Sequence, residues 1–308
     1  MHILLTGASG LVGTAVIRAA TRRGHRVTGI VGQFPGKLEG LAAQHTLDLV
    51  DAPAVQRFVL DQFPEAIVNC AAICSTEQCL SAPSLSYAVN VALPALLGQL
   101  AHHLNARFVH LSSEQVFDGT KPPYSVGDAP NPIHLYAKQK LDGERAVADA
   151  APTHAAVVRL PLMLGNSPTG QRSLHERLFA DWASGRTPRL YTDEMRQVAH
   201  ADNVAEMIVE LVERNDLNGL YHWAGAELVS RYELGVRIRE HFKLTAQVAP
   251  LTPVARAETP AVLSQRQASL ALNLAPLAGL LKTRPQTLAE QLPELIVPPP
   301  WRAWYFTK

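Results

Sequence analysis

The chain has 308 residues, 47% of them hydrophobic and 18% charged, enough to bury one large core or a core domain with a smaller partner. Its 28 Lys and Arg residues nearly balance 27 Asp and Glu residues, giving a formal net charge of +1. Such a charge creates no overall field that would attract nucleic acid or an anionic membrane, and we expect neither partner.

Short apolar runs alternate with longer amphipathic runs through the first half of the chain. The predicted strands are HILLT, RVTGIV, a run ending in LDLVD, AIVN, RFVHLS and AAVVRL. The predicted helices cover 11–23, 52–63, about 84–103 and a segment that begins near residue 133. Near-continuous apolar strands separated by helices predict an α/β fold with a doubly wound parallel sheet covered on both faces.

The second half of the chain is less regular. Helical patterns cover SLHERLFADWASG, NVAEMIVELVER and SRYELGVRIREHF, and GLYHWAG is typical of a strand that ends in a turn. Ser230 is a candidate N-cap with Glu233 at the capping-box position. The final segment, VPPPWRAWYFTK, can dock on the body, dock on a second subunit of a homodimer, or stay loose.

Apolar stretches and cysteines bear on location and on metal binding. YAVNVALPALLGQL and LALNLAPLAGLL are short for a bilayer span and are interrupted by Asn or Pro, so we interpret them as core helices. The start of the chain lacks a basic region and a cleavage site, which favours a cytoplasmic location. Cys70, Cys74 and Cys79 lack the paired spacing of a zinc site, so we expect reduced thiols and no metal.

The motif TGASGLVG, residues 6–13, follows the first strand and opens the first helix. Its glycines Gly7, Gly10 and Gly13 allow a tight turn, close approach of a pyrophosphate and close packing of helix on strand. This position at the start of a β/α alternation predicts a Rossmann dinucleotide site. The second strand ends without the acid that would bind an unphosphorylated ribose, and Lys37 is the nearest cation, so the pattern favours NADP over NAD.

Several polar or small residues follow later strands, at the edge where such sheets bind ligands. Asp48 can accept a hydrogen bond from the adenine amino group, and Ala71 and Ala72 leave room for a cofactor near the backbone. Ser112 and Ser113 end the fifth strand at the same edge. Taken alone, each is also an ordinary residue for the end of a strand.

Tyr136 and Lys140 stand one helical turn apart and share a helix face. Reduction of a carbonyl by a nicotinamide needs a positioned proton donor, and a phenol can be that donor. A neighbouring ammonium favours the phenolate, so we expect Lys140 to lower the pKa of Tyr136. Ser113 can hold the carbonyl oxygen. An isolated Tyr and Lys at this spacing can equally be a packing aromatic and a surface charge.

Five motifs follow one another along the chain: T-G-x-x-G-x-x-G, Asp48 to Asp51, N-x-A-A, the serine and Y-x-x-x-K. This order resembles the extended short-chain dehydrogenase/reductases. SSEQVFDG and HADNVAE are most similar to the dTDP-4-dehydrorhamnose reductase branch, which includes a non-catalytic regulatory subunit of methionine adenosyltransferase. The resemblance implies catalytic Ser113, Tyr136 and Lys140. It also implies that the cofactor is bound by Gly7, Gly10, Leu11, Val12, Gly13, Asp48, Leu49, Ala71, Ala72, Ser112, Tyr136 and Lys140.

Some positions depart from that branch. Gln115 stands where dehydratases of the superfamily carry a glutamate, which argues against elimination of water. RQASL, residues 266–270, differs from the usual loop at the substrate end of the cleft, so the identity of the sugar stays open. Arginine side chains suit phosphate oxygens, and the candidates for the substrate's diphosphate are Arg172, Arg189, Arg196 and Arg266.

The leading hypothesis is a cytoplasmic NAD(P)H-dependent reductase of a carbonyl, with the 4-keto group of a nucleotide-linked deoxysugar as the preferred substrate. We expect a Rossmann domain at 1–165 and 198–224 and a smaller α/β substrate cap at 166–197 and 225–308. One alternative is a regulatory protein that binds the dinucleotide without turnover. Another is a reductase of a non-sugar ketone or aldehyde.

Overall fold

The computed structural model describes residues 1–259 and 266–308. The strands are β1 (His2–Thr6), β2 (Arg26–Val31), β3 (Ala43–Thr46), β4 (Ala66–Asn69), β5 (Arg107–Ser113), β6 (Ala155–Leu160), β7 (Met163–Leu164), β8 (Arg189–Tyr191), β9 (Met195–Arg196), β10 (Ala199–His200), β11 (Gly219–His222), β12 (Val229–Ser230) and β13 (Thr252–Val254).

The helices are α1 (Leu11–Arg22), α2 (Ala52–Gln62), α3 (Thr76–Ser81), α4 (Pro83–Tyr87), α5 (Leu93–Leu104), α6 (Leu135–Ala150), α7 (Leu174–Ala183), α8 (Ala201–Glu213), α9 (Arg231–His241), α10 (Leu277–Leu280), α11 (Leu288–Gln291) and α12 (Arg302–Phe306). A π-helical segment (Ala88–Ala92) joins α4 to α5. Short 3-10 turns lie at Glu114–Val116, Arg256–Glu258, Leu292–Glu294 and Pro299–Trp301.

Seven strands form one parallel sheet in the order β11-β6-β5-β4-β1-β2-β3. Strands β1, β4 and β6 are buried at every position, because helices cover both faces of the sheet. α1 and α8 pack together on one face, and α2, α5 and α6 pack on the other. This architecture confirms the predicted doubly wound α/β fold.

The order of the strands reverses between β1 and β4. From β1 the chain proceeds to β2 and β3 on one side, whereas β4, β5 and β6 follow one another on the other side. At such a reversal the loops after the two central strands diverge and leave a crevice at the carboxyl edge of the sheet. The glycine-rich turn after β1 and the loop after β4 therefore flank this crevice.

A second core lies outside the main sheet. It is built by α7 and α9 and by the aromatic end of the chain, including Trp301, Trp304 and Tyr305. The Tyr305 hydroxyl donates to the carbonyl of Phe242 at 3.1 Å, and the rings of Phe179 and Trp304 lie 5.9 Å apart. The carboxyl-terminal segment thus docks on the body of its own chain, which is one of the options that its sequence left open.

We propose the division into 1–165 with 198–224 and 166–197 with 225–308 as domains. β11 pairs with β6 in the main sheet and α8 packs on α1, so the segment around them returns to the first core. α7 and α9 share the separate second core. Short strand pairs, β12 with β9 and β13 with β8, join the two portions of the proposed cap.

Two predicted elements differ from the structure. The third strand ends at Thr46 and not in LDLVD, since polar Gln44 and His45 pair with β2 while Asp48 follows in a turn. The stretch LALNLAPLAGLL, which we expected to be a core helix, is helical only at Leu277–Leu280. The helix expected at about 84–103 is confirmed and spans Pro83–Leu104. Among the described residues, one helix, Pro83–Leu104, is long and apolar enough to cross a membrane by length and composition. Half of its most apolar window is buried inside the protein, where α5 packs between α2, α6 and the sheet, as core helices do.

Candidate active site

The turn between β1 and α1 can only be built with glycine at two of its positions. Gly7 has a φ of +64°, and a Cβ on it would lie 2.7 Å from the nitrogen of Ala71. A Cβ on Gly13 would lie 2.2 Å from the carbonyl oxygen of Gly7, so α1 could not pack this close to the turn. Gly10 is the N-cap of α1, and no side chain caps this end in the described part of the chain. The first N–H groups of α1, from Leu11 onward, can therefore bind an anion.

The loop after β4 is held by a buried polar network. The hydroxyl of Thr6 donates to Oδ1 of Asn69 at 2.6 Å, and Nδ2 of Asn69 lies 3.0 Å from Nδ1 of His110. These bonds tie the ends of β1, β4 and β5 together. Ala71 and Ala72 follow, half-buried, at the crevice.

Asp48 and Leu49 lie on the other side of the crevice, in the turn after β3. Asp48 is exposed, and its Oδ1 accepts a hydrogen bond from the nitrogen of Val50 at 3.0 Å. Leu49 is half-buried and packs on the core beneath α2. One carboxylate oxygen of Asp48 carries no protein hydrogen bond within the described ranges and is available to a ligand.

Ser112 and Ser113 point to opposite sides of β5 because successive side chains of a strand alternate. The hydroxyl of Ser112 donates to Glu144 at 2.5 Å, and Glu144 in turn forms a buried, two-bonded ion pair with Arg159 at 2.9 and 2.7 Å. The side chain of Ser112 is thus used within the core, which leaves its main chain for a cofactor. The hydroxyl of Ser113 accepts from the nitrogen of Gln115 at 3.2 Å.

Helix α6 places Tyr136 and Lys140 at the same edge. It begins after His134, whose Nδ1 accepts from the nitrogen of Ala137 at 3.1 Å as an N-cap. The Tyr136 phenol lies near the Ser113 hydroxyl and the Cys74 thiol. Both α6 side chains are almost fully buried, at 6% exposed for Tyr136 and 2% for Lys140. They are neither a surface charge nor a packing aromatic remote from the cleft.

The pKa of Tyr136 is raised and not lowered, contrary to our expectation. Burial raises the pKa of Tyr136 well above its ordinary value, and the neighbouring Cys74 raises it further, while the nearby Ser113 hydroxyl lowers it. The Lys140 ammonium donates to the carbonyl of Leu111 at 2.6 Å, and burial lowers the pKa of Lys140. Removal from water dominates at Tyr136, so the phenol keeps its proton at neutral pH.

Asn90 is a site residue that sequence reasoning missed. It lies in the π-helical segment, where its Oδ1 accepts from the nitrogen of Ile73 and its Nδ2 donates to the carbonyl of Ile73, both at 3.0 Å. The same Nδ2 donates to Gln139 on α6 at 3.1 Å. Asn90 thus fixes the loop after β4 relative to the helix that carries Tyr136. A polar residue inside an apolar helical run was the available signal.

A second part of the crevice opens toward the proposed cap as a cavity of about 560 Å³. It is lined by Cys74, Thr76, Glu114, Gln115, His134, Leu162, Arg177, Tyr191, Glu194, Arg196, Arg231, Arg266 and Gln267. Of the four arginines predicted to contact a diphosphate, Arg196 and Arg266 lie in this cavity. Arg172 and Arg189 do not line this cavity. Arg177 and Arg231 line it, although the sequence did not predict them as site residues.

Two carboxyl groups stand among these four arginines. Glu194 lies 3.2 Å from Arg196, 2.9 Å from Arg266 and 3.9 Å from Arg231. Glu114 lies 3.3 Å from Arg196. The cavity lining therefore carries more positive than negative side chains, an electrostatic setting that favours an anionic ligand.

The RQASL loop forms one wall of this cavity. Arg266 stacks over the ring of Tyr191 at 5.2 Å, and the buried Gln267 donates to the carbonyls of Gln115 and Phe117 at 3.3 Å. The altered loop thus packs directly on the 3-10 turn that follows Ser113. Its sequence shapes the cavity at the point closest to the Ser113 strand end.

The cysteines at the edge of the site are free thiols. Cys70 is half-buried, and burial raises its pKa to about 12. Cys74 is exposed beside Tyr136, and Cys79 is buried behind it. Within residues 1–259 and 266–308, no group of three or more His, Cys, Asp or Glu side chains is arranged to hold a metal ion.

Comparison with known proteins gives a consistent family. The family model described as RmlD substrate binding domain matches residues 1–298. Methionine adenosyltransferase 2 subunit beta of Xenopus laevis is 33% identical over 263 residues, which cover 83% of this chain and 77% of that protein.

Solved structures show the same fold. A hypothetical dTDP-4-dehydrorhamnose reductase from Sulfolobus tokodaii superposes with a TM-score of 0.81 at 27% identity, covering 96% of this chain and 100% of that one. The dTDP-4-dehydrorhamnose reductase of Bacillus anthracis was solved in complex with NADP and has a TM-score of 0.79 at 19% identity. The superposition covers 95% of this chain and 97% of that one. At 19% identity the likeness establishes the fold alone.

Proposed function

The chain belongs to the family of the RmlD substrate binding domain, within the extended short-chain dehydrogenase/reductases, and we propose that it reduces a carbonyl group at the expense of NADPH or NADH. The preferred substrate in this proposal is the 4-keto group of a nucleotide-linked deoxysugar. The observation that carries it is the Tyr136 phenol near the Ser113 hydroxyl, with Lys140 one helical turn further along α6 and its ammonium bound to the carbonyl of Leu111 on β5.

Each of the three residues has a distinct proposed role. Ser113 holds the carbonyl oxygen by a hydrogen bond, and Tyr136, protonated at neutral pH, donates its phenolic proton to that oxygen. Lys140 stabilises the charge that the phenol acquires and contacts the ribose of the cofactor. A bound reduced nicotinamide would supply the hydride.

The crevice fits a dinucleotide. The first N–H groups of α1 can bind the pyrophosphate, and Asp48 can accept a hydrogen bond from the adenine. The small side chains of Ala71 and Ala72 leave room for the cofactor at the loop after β4. We favour NADP because Gly32 and Gln33, and no acid, directly follow the end of β2, and the exposed Lys37 lies in the loop after them. The Bacillus anthracis reductase, similar in fold, was solved with NADP.

The cavity beyond Tyr136 supports a nucleotide sugar as substrate. Four arginines line it, and their forks match the oxygens of a diphosphate. Two structurally similar proteins carry the name dTDP-4-dehydrorhamnose reductase. Charged reactants of this kind do not cross membranes, and the chain keeps free thiols, so we place the reaction in the cytoplasm.

Turnover with a panel of substrates tests this proposal. The purified protein is incubated with NADPH or NADH and with dTDP-4-dehydrorhamnose, other nucleotide 4-keto sugars and simple ketones, and loss of the reduced nicotinamide absorbance is followed. We expect oxidation of NADPH with a nucleotide 4-keto sugar and a loss of at least about 100-fold in Tyr136→Phe. Tyr221→Phe is the matched control. Tyr221 lies on the edge strand β11, and its phenol donates to the carbonyl of Asn218.

The 33% identity to methionine adenosyltransferase 2 subunit beta favours a second candidate, a regulatory protein that binds the dinucleotide without turnover. Tight binding of NADPH with no oxidation by any member of the panel would select this candidate over the reductase. Oxidation with simple ketones but not with sugars would instead select a non-sugar carbonyl as substrate. The three readings are thus separated by one set of measurements.

A further inference from the structure

Two histidines meet at the amino edge of the main sheet, on the side opposite the cofactor crevice. His102 lies in the last turn of α5, just before β5, and His154 directly precedes β6. β5 and β6 are parallel neighbours, so the segments that lead into them lie side by side although 52 positions separate the two histidines. The proposed reduction gives no role to this pair.

The spacing of the two rings can be compared with the geometry of metal coordination. Nδ1 of His102 lies 3.4 Å from Nδ1 of His154, and the ring centroids are 5.1 Å apart. Two imidazoles bound through nitrogen to one tetrahedral zinc ion have nitrogens about 3.3 Å apart and ring centroids about 5.2 Å apart. A linear hydrogen bond between the same nitrogens would place the centroids about 5.7 Å apart. Both observed distances therefore match two rings that converge on one point.

Hydrogen bonds hold His154 in the form that binds a metal ion. Its Nε2 lies 2.9 Å from Oδ1 of Asn105, so this nitrogen carries the ring proton and donates it to the amide oxygen. The lone pair of Nδ1 is then free, and the Thr153 hydroxyl lies 3.0 Å from it. Burial lowers the pKa of His154, and His102 and Arg107 lower it further, so the ring is neutral at neutral pH.

The surroundings of the pair suit a bound cation. The carbonyl of His154 accepts from the nitrogen of Phe108 at 2.8 Å, which fixes His154 to the start of β5. His102 stands at the carboxyl end of α5, where the helix dipole places partial negative charge. His102 is exposed, and a pocket of about 200 Å³ opens beside His154, so water can reach the remaining coordination positions.

We propose that His102 and His154 form a zinc-binding site in which water molecules occupy the two other tetrahedral positions. A zinc ion bound there joins the end of α5 to the start of β6 and stabilises the folded chain by mass action. With two protein ligands, the site binds zinc less tightly than a structural site with four. The proposal is independent of the proposed function, because the pair and Tyr136 lie at opposite edges of the sheet.

Zinc binding to the full chain, purified without an affinity tag and freed of metal with a chelator, tests the assignment. By calorimetry we expect one zinc ion per chain, and thermal unfolding should shift to higher temperature as ZnCl₂ is added. His102→Gln and His154→Gln each remove one of the two protein ligands and are expected to lose at least about tenfold in affinity. His103→Gln is the matched control, since His103 lines a different pocket between α2 and α5 and should bind zinc like wild type.

A measurement on the wild-type chain removes any dependence on folding of the variants. With isotope-labelled histidine, zinc is expected to shift the Nδ1 resonances of two of the 12 histidines in the NMR spectrum. Wild type that binds no zinc overturns the assignment, as do His102→Gln and His154→Gln variants that bind it as tightly as wild type. An equal loss of affinity in His103→Gln also overturns it. Each of these results leaves the turnover assay and its dependence on Tyr136 unaffected.

Discussion

At the bottom of the cleft, Tyr136 and Glu114 are 6% and 2% exposed. Lys140 stands one helical turn from Tyr136 on α6 and Arg196 lies beside Glu114, yet burial raises the pKa of both groups. Loss of hydration therefore sets their protonation more than charge pairing does. Both groups are therefore neutral and carry a proton at neutral pH, Glu114 in the lining of the cavity and Tyr136 near its Cys74.

The raised pKa of Glu114 makes stability depend on pH. The folded value is about 8 and the unfolded value about 4.3. Between them the folded state holds a proton that the unfolded state has released, so the contribution of Glu114 to stability falls as pH rises and is constant above about pH 8. Arg196, Arg231 and Glu194 face the group throughout this range.

The amide of Glu114→Gln does not titrate, so this variant should not lose stability at this position as the pH rises. We expect its free energy of unfolding, relative to wild type, to rise from pH 5 to pH 8 by on the order of 1 kcal/mol or more. Urea unfolding of both proteins at several pH values measures the difference. A difference that stays constant over this range would show that Glu114 titrates alike in the folded and unfolded states.

Among the elements, the π-helical segment Ala88–Ala92 sets the geometry of the site without touching the proposed substrate. Its close approach to α6 requires Gly143, because a Cβ there would lie 2.5 Å from the carbonyl oxygen of Asn90. The side chain of Asn90 then bonds the loop after β4 and Gln139. One residue thereby couples the cofactor side of the crevice to the helix that carries Tyr136.

Asn90→Ala should disturb both stability and cofactor binding. It leaves the partly buried N–H and C=O of Ile73 and the buried amide of Gln139 without this partner, which costs about 1–3 kcal/mol. Thermal unfolding and NADPH titration measure the two effects, and we expect weaker NADPH binding. Gln99→Ala, at an exposed position of α5, is the control and should change stability by less than about 0.5 kcal/mol. Unchanged NADPH affinity in Asn90→Ala would contradict the coupling.

The strands and helices of the first half could be predicted from apolar periodicity, because each strand is buried on both faces and carries a near-continuous apolar run. β3 could not, since AQHT at the sheet edge is polar and only its pairing with β2 makes it a strand. In the site, Tyr136 and Lys140 could be found because both stand in one helical turn. Arg177, Arg231 and Glu114 could not be assigned, because tertiary packing alone brings them to one cavity.

On the scale of the whole molecule, the aromatic carboxyl-terminal segment completes the second core. Trp304 packs against Phe179, and Tyr305 reaches Phe242, so the last residues join α7 to α9. That core carries Arg177 and Arg231 into the arginine-lined cavity. Loss of the carboxyl-terminal segment is therefore expected to loosen α7 and α9 and to change the shape of the cavity.

Trp304→Ala tests the role of the tail. Trp304 is half-buried, and loss of its ring should cost about 1–3 kcal/mol. Phe306→Ala removes a ring that is 77% exposed and should cost less than about 0.5 kcal/mol. Chemical denaturation of the two variants measures both. Equal stability of Trp304→Ala and Phe306→Ala would show that the segment contributes little to the fold.

The central claim is that Tyr136 protonates a carbonyl oxygen while the carbonyl carbon receives a hydride. NADPH labelled with deuterium at the transferable position, mixed with dTDP-4-dehydrorhamnose, allows mass spectrometry of the product to test it. We expect one deuterium on carbon 4 of the sugar with wild type and almost none with Tyr136→Phe. A product without deuterium, or equal labelling by wild type and Tyr136→Phe, would contradict it.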